Sequence, residues 1–187
     1  MTEQYRVTAI SPAGEGIAHD DQGKRVLVKA GLPGDVVTGL LLDGVIETPE
    51  YVAKSPDHLE PACRDYGTCG GCNFQHAEAH LYAEWKRGLL IHALSARDIK
   101  TDVGQLPLCQ PASRRRASFS IRHMQSGVEL GFQKVRSHEI IVFEDCKVIL
   151  PVLNKARGAM RALAKAALPL MGGDAKPASA LITVTKT

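Results

Sequence analysis

The chain has 187 residues, 44% of them hydrophobic and 5% aromatic, and a formal net charge of +3. That length suits one domain of ordinary size or two small ones, with enough apolar content for a core. No run approaches the roughly 20 apolar residues of a membrane helix, and "MTEQYRVTAI" has no basic start followed by an apolar stretch, which argues against a spanning segment and a secretory signal.

The first fifty residues read as short strands between turns. In "YRVTAI", Tyr5, Val7 and Ala9 face one way and Arg6, Thr8 and Ile10 the other. "SPAGEG" breaks the run. Its Gly14-Glu15-Gly16 lacks the third glycine and the strand-to-helix setting of a nucleotide loop, and reads as a turn. "KRVLVKA" and "VVTGLLL" are further strands, separated by a turn centred on Pro33 and Gly34. Short β runs at this spacing suit a small OB-like barrel over residues 1–53. "TPEYVAKSPDHLEPA" carries three prolines in fifteen residues and reads as a linker. This linker, a cysteine-rich loop and a helix make up residues 54–92. In "HAEAHLYAEWKRGLLIHAL", Leu81, Trp85 and Leu89 recur every four residues beside Tyr82, as a packing stripe does.

From Ser113 a period of two returns. Ala117, Phe119 and Ile121 alternate with Arg116, Ser118, Ser120 and Arg122; "QSG" turns the chain, and "VELGF" pairs back as a hairpin. "EIIVFEDC" predicts a strand ending at Cys146. "PVLNKARGAMRALAKAAL" predicts a helix that opens on Pro151 and stops at Pro169, with Leu153, Ala156, Met160 and Leu163 on its apolar face. "ALITVTKT" is a last β-like run with no partner after it. Residues 93–187 therefore read as an α+β domain with an antiparallel sheet, and the chain as a whole as mixed α and β.

The cysteines follow the pattern Cys63-x5-Cys69-x2-Cys72, with Cys109 and Cys146 far downstream. Without an export signal the thiols are expected to stay reduced in the cytoplasm, where clustered cysteines bind metal or do chemistry. Gly70 and Gly71 let the backbone fold closely and point N–H groups at bound sulfur. Three ligands from one loop leave one vertex open; Cys146, at a strand end, can be held rigidly, whereas Cys109 lies between prolines. The spacing leaves three readings: a [4Fe–4S] cluster, a structural zinc for which only one short Cys-x2-Cys pair exists, or unliganded thiols. His76 and His80 fall on the expected helix and read as plain polar residues.

Charge divides unevenly. Residues 1–62 carry ten acids against five bases, and the remainder ten acids against eighteen bases. The later part is the better candidate for a polyanionic partner. Between residues 105 and 140 there are six Lys or Arg and two acids, Glu129 and Glu139. Arg114, Arg116, Arg122, Lys134, Arg136 and His138 are the candidate contacts for such a partner. Arg116, Ser118, Ser120 and Arg122 share one strand face that can track phosphates, while Arg115 points the opposite way.

These residues amount to a recognisable pattern. "PACRDYGTCGGCNFQH", "SRRRASFSI" and "LGFQKVRSHEIIVFEDCKVILPVLN" resemble, in order, the bacterial RNA uracil-C5 methyltransferases that act on large-subunit ribosomal RNA. The opening resembles a TRAM domain, an OB-like RNA-binding barrel. Radical-SAM RNA-modifying enzymes are a poorer match, since their loop is Cys-x3-Cys-x2-Cys. The resemblance implies a [4Fe–4S] cluster on Cys63, Cys69, Cys72 and Cys146. It also implies a Rossmann-like domain with an S-adenosylmethionine site, a catalytic cysteine and a general-base carboxylate. There a thiolate adds to uracil C6, C5 takes the methyl group, and a base removes the C5 proton. No glycine-rich cofactor loop and no cysteine in the nucleophile motif occur here, so the expectation is a part that binds RNA without methylating it, using S-adenosylmethionine only alongside the further domain. The expected protein is a cytoplasmic monomer with ribosomal RNA as its partner and no membrane; the alternative is a free-standing iron–sulfur or zinc RNA-binding module.

Overall fold

The alternation in "YRVTAI" survives as burial as far as Thr8, with Tyr5 and Val7 inside and Arg6 and Thr8 outside, but Ala9 is exposed and the run is not one strand. In a computed structural model, which describes residues 3–124, 127–167 and 178–185, it splits into β1 (Tyr5–Arg6) and β2 (Ala9–Ile10), which join different sheets. The chain divides into two units. One holds Met1–Pro61 and Asn73–Leu108, the other Ala62–Cys72 and Cys109–Thr187.

In the first unit β3 (Gly16–His19), β4 (Arg25–Val28), β6 (Leu41–Leu42) and β7 (Val45–Ile46) build one sheet with β2, in the order β2-β3-β4-β7-β6. The second sheet runs β1-β5-β8, with β5 at Val36–Thr38 and β8 at Glu50–Ala53. Pairing is antiparallel except between β4 and β7. Tyr5, Val7, Ala18, Val26, Val28, Val37 and Ile46 form their shared core. Gly39 lies between β5 and β6 in "VVTGLLL", where a Cβ would stand 2.7 Å from Ile46 Cγ2.

The proline-rich stretch is not the loose linker expected. Its Glu50–Ala53 segment pairs with β5, and the residues after it are fastened to Asp35. That carboxylate is fully buried and accepts from the backbone N–H of Leu32 and Ser55, both at 2.7 Å, and contacts His58 Nε2 at 2.9 Å. An acceptor in a turn more than twenty residues upstream leaves no trace in the local composition of the segment it holds.

Helix α1 (Ala79–Ser95) starts beyond His76, which is buried at 4% exposure and not a polar helix residue. Burial first, and neighbouring His58 second, lower the His76 pKa to about 4. His80 is exposed and faces Asp57 at 3.4 Å. Leu81, Tyr82 and Trp85 pack on Leu32, Phe74 and Ala77 as their spacing predicts. Phe74 and Trp85 stack at 4.6 Å, and Trp85 Nε1 donates to the Ser11 carbonyl at 2.9 Å.

In the second unit the expected hairpin is β9 (Arg116–Met124) with β10 (Gly127–Gln133), in register at Ser120 and Gly131. Gln125 and Ser126 of its turn lie outside the described residues. Of "EIIVFEDC", only β11 (Ile140–Ile141) pairs, against β10. Phe143 then leaves the sheet for the core, where it is 2% exposed. The last run finds its partner earlier in the chain: β12 (Ala178–Thr183) lies antiparallel along β9, giving the order β11-β10-β9-β12. The helical stretch breaks at Ala156 into α2 (Pro151–Lys155) and α3 (Arg157–Ala167), with Pro151 in the first turn. Pro169 is outside the described residues. Leu153, Met160 and Ala164 are buried, whereas Leu163 is 70% exposed. At about 100° per residue Ala164 falls within roughly 20° of Leu153, and Leu163 about 80° away, so the stripe runs through the smaller side chain.

Phe119, Leu130, Phe143, Ile149 and the buried helical residues form the core of this unit. That core covers one face of the sheet. Alternation leaves Arg116, Ser118, Ser120 and Arg122 of β9 on the other face, beside the exposed Ser179, Leu181 and Thr183 of β12. Among the described residues no helix is long and apolar enough to cross a membrane.

Candidate metal centre

Cys63, Cys69, Cys72 and Cys146 all belong to the second unit. The loop that carries the first three is fixed by backbone rungs to the end of β10. Cys69 bridges Lys134, Gly70 N–H donates to the Gln133 carbonyl at 2.8 Å, and Val135 N–H donates to the Thr68 carbonyl at 2.9 Å. The approach at Gly70 is close, since a Cβ would meet the Gln133 carbonyl oxygen at 3.1 Å. Gly71 N–H points at Cys69 Sγ from 3.4 Å, as the glycine pair predicts. Arg64 Nη2 reaches Glu144 Oε2 at 3.0 Å, tying the loop to the segment just before Cys146.

Cys146 lies in an irregular stretch between β11 and α2. Asn154 of α2 grips it: Cys146 N–H donates to Asn154 Oδ1 at 3.1 Å, and Asn154 Nδ2 donates to the Cys146 carbonyl and to Asp145 Oδ1, each at 3.0 Å. Arg157 donates to the Asn154 carbonyl at 2.9 Å through Nε and to the Phe143 carbonyl through Nη1.

Cys69 feels the other three sulfurs. Burial pushes the Cys69 thiol above its ordinary value; the Gly71 amide pulls it down, and Cys72, Cys146 and Cys63 each push it up further. Arg64 and Lys147 both feel the charge of Cys63. None of the five cysteines is in a disulfide, and Cys109 is exposed. Among the described residues no three His, Cys, Asp or Glu side chains already stand at metal-binding separations, so ligation would draw the sulfurs closer than they stand. The donor chemistry fits a thiolate-held group: four cysteines in one unit outside any disulfide, two nearby cations, and an amide aimed at sulfur.

The candidate RNA contacts fall in three places. Arg114 and Arg116 are exposed at the start of β9, and Arg122 lies half-buried further along it, opposite Glu129. Lys134, Arg136 and His138 occupy the β10–β11 turn, next to the cysteine loop. Arg122 Nη2 donates to the His138 carbonyl at 2.8 Å, which joins the sheet face to the turn, and Lys134 pairs with Glu139 at 3.2 Å.

No family model matches the chain. A Brucella suis protein described as an RNA methyltransferase is 38% identical over 150 residues, covering 80% of this chain and 36% of that protein. A Caulobacter vibrioides RNA methyltransferase is 35% identical over 99% of this chain and 44% of its own length. Over most of its length the chain is similar to bacterial proteins described as RNA methyltransferases. A Halomonas elongata relative, 32% identical over 79% of this chain and 32% of its own length, is a 23S rRNA (uracil(1939)-C(5))-methyltransferase. The chain spans under half the length of these curated RNA methyltransferases. The fold is similar to a Pyrococcus abyssi tRNA (uracil-54, C5)-methyltransferase, with TM-score 0.56 and 20% identity over 88% of this chain and 37% of that one.

Sequence reasoning missed Asn154 and the Asp35–His58–His76 cluster. The signal for Asn154 was a lone amide in the first turn of a helix whose other polar residues are all Lys or Arg, eight residues after the cysteine it grips.

Proposed function

We propose that the chain is the N-terminal, RNA-binding part of an S-adenosylmethionine-dependent RNA uracil-C5 methyltransferase that acts on ribosomal RNA in the cytoplasm. Residues 1–53 would form a TRAM-type barrel, 54–92 the linker, cluster loop and helix, and 93–187 the central domain. The observation that carries the reading is the loop of Cys63, Cys69 and Cys72, laced to the end of β10 and joined by the Arg64–Glu144 ion pair to the segment that bears Cys146. Cys63, Cys69, Cys72 and Cys146 would hold a [4Fe–4S] cluster, which when bound supplies a cross-link between the loop and the segment before α2. Arg64 and Lys147 then offset part of its negative charge.

The chain's own residues would bind RNA by its backbone. The open face of β9 presents guanidinium groups at both ends and the hydroxyls of Ser118 and Ser120 between them. That is a donor set for phosphates and sugars. Phe119, Phe132 and Phe143 pack on one another in the core, so they are not stacking platforms for bases. Arg114, Lys134, Arg136 and His138 extend the basic surface. Methyl transfer is assigned to the lengths of the relatives that this chain does not span.

Anaerobic purification followed by iron, sulfide and zinc analysis, absorbance near 400 nm and titration with ribosomal RNA fragments tests this. The expected protein is brown, binds RNA with strong salt dependence, and transfers no methyl group alone. A colourless protein with stoichiometric zinc, or methylation by this chain alone, would overturn the corresponding part.

A further inference from the structure

We infer that Asn154 is the positioning residue for Cys146, gripping its peptide on both sides so that its sulfur is held for ligation; this rests on the cluster reading above. The other three cysteines have a framework. Their loop is laced to β10 by the Cys69–Lys134 bridge and by the Gly70 and Val135 amides. Cys146 has no such ladder, because β11 ends at Ile141 and α2 begins at Pro151. Beyond it, the chain is fixed again where Ala112 N–H donates to Lys147 O at 2.9 Å and Arg114 N–H to Val148 O at 3.1 Å. Cys146 therefore sits where sheet pairing has stopped and the next backbone rungs have yet to begin, and its peptide N–H and C=O need partners from elsewhere.

Asn154 supplies both. A carboxamide places an acceptor and a donor side by side, so it satisfies an N–H and a C=O as a neighbouring strand would. The bonds measure 3.1 and 3.0 Å, and the remaining N–H takes Asp145 Oδ1 at 3.0 Å. The grip is braced, since Arg157 binds the Asn154 carbonyl and the Phe143 carbonyl together. Phe143 is anchored in the core, with the Arg157 guanidinium 5.3 Å from its ring centroid. The result is a short path from the core through α2 to the peptide of the fourth thiol. No other side-chain type of this size does the same: Asp lacks the donors, and Leu lacks both functions.

The test uses the full chain purified anaerobically, with Asn154→Ala, Asn154→Asp and a Cys109→Ser control. The readouts are iron and sulfide content, bleaching near 400 nm under an iron chelator, the Fe–S stretching bands in resonance Raman, and melting of the metal-free chain. Asn154→Ala should bleach about tenfold faster or more, with shifted Fe–S bands, while metal-free melting moves little. Asn154→Asp keeps the acceptor for the Cys146 N–H but sets a carboxylate oxygen against the Cys146 carbonyl and Asp145, and should also bleach faster than the parent; it decides the matter if the alanine variant fails to fold. Bleaching rates and bands equal to those of the parent would overturn the inference and leave the cluster reading intact. A parent chain without iron or sulfide would overturn both.

Discussion

Acidification should loosen the first unit through His76. Its imidazole is 4% exposed and its pKa falls from 6.5 to about 4, through burial first and the charge of His58 second, with Asp35 acting in the opposite sense. The unfolded chain takes up a proton below about pH 6.5, whereas the folded unit refuses it until about pH 4. Stability is therefore intact above that window and falls as the pH drops through it. At about 1.4 kcal/mol per pH unit the full loss approaches ~3 kcal/mol by pH 4, a large share of the ~5–15 kcal/mol that holds an ordinary domain. Urea titrations at a series of pH values measure it, followed by fluorescence of Trp85, the one tryptophan of the chain, which packs in the same small cluster as Phe74. His76→Gln removes the titrating group, and its stability should depend on pH less steeply by about 1 kcal/mol per unit between pH 6.5 and 4. Carboxylates elsewhere titrate in both proteins and cancel in the difference. Parallel stability curves for parent and variant would refute the reasoning.

Gly131→Ala should destabilise the second unit by about 3 kcal/mol or more, read as a lowered melting temperature. The added Cβ would collide with the Ile141 carbonyl oxygen and stand 2.7 Å from its carbon, both backbone atoms of β11 that cannot swing aside. Arg116→Ala should weaken RNA binding and lower the slope of log affinity against log salt by about one, with melting unchanged. An unaltered slope would remove Arg116 from the interface.

What the sequence reveals, and what it hides, follows the range of the interactions. The β9–β10 hairpin is legible because Ala117, Phe119 and Ile121 alternate with polar residues along a nine-residue strand. Helix α1 is legible from Leu81, Trp85 and Leu89. The four cysteines stand out by composition, but the backbone rungs from Gln133 and Thr68 that seat their loop carry no side-chain signature. Distance hides the rest. β12 completes the sheet beside β9 from some sixty residues away in sequence. Ser55 and His58 are fixed by Asp35, a residue that sequence places in a turn for its Pro-Gly neighbours alone. The exchange of Leu163 for Ala164 has another origin: hydrophobicity ranks leucine above alanine, and only the position of the break at Ala156 and the helical phase decide which one faces Phe119 and Leu130.

Iron content of Cys146→Ser against Cys109→Ser, both purified without oxygen, tests the central claim most directly. The account predicts about four irons per chain in the parent and in Cys109→Ser, and a colourless, iron-poor Cys146→Ser protein with a lower melting temperature. A Cys146→Ser protein that keeps the parent's full iron and melts with it would contradict the claim that these four sulfurs close on a single cluster.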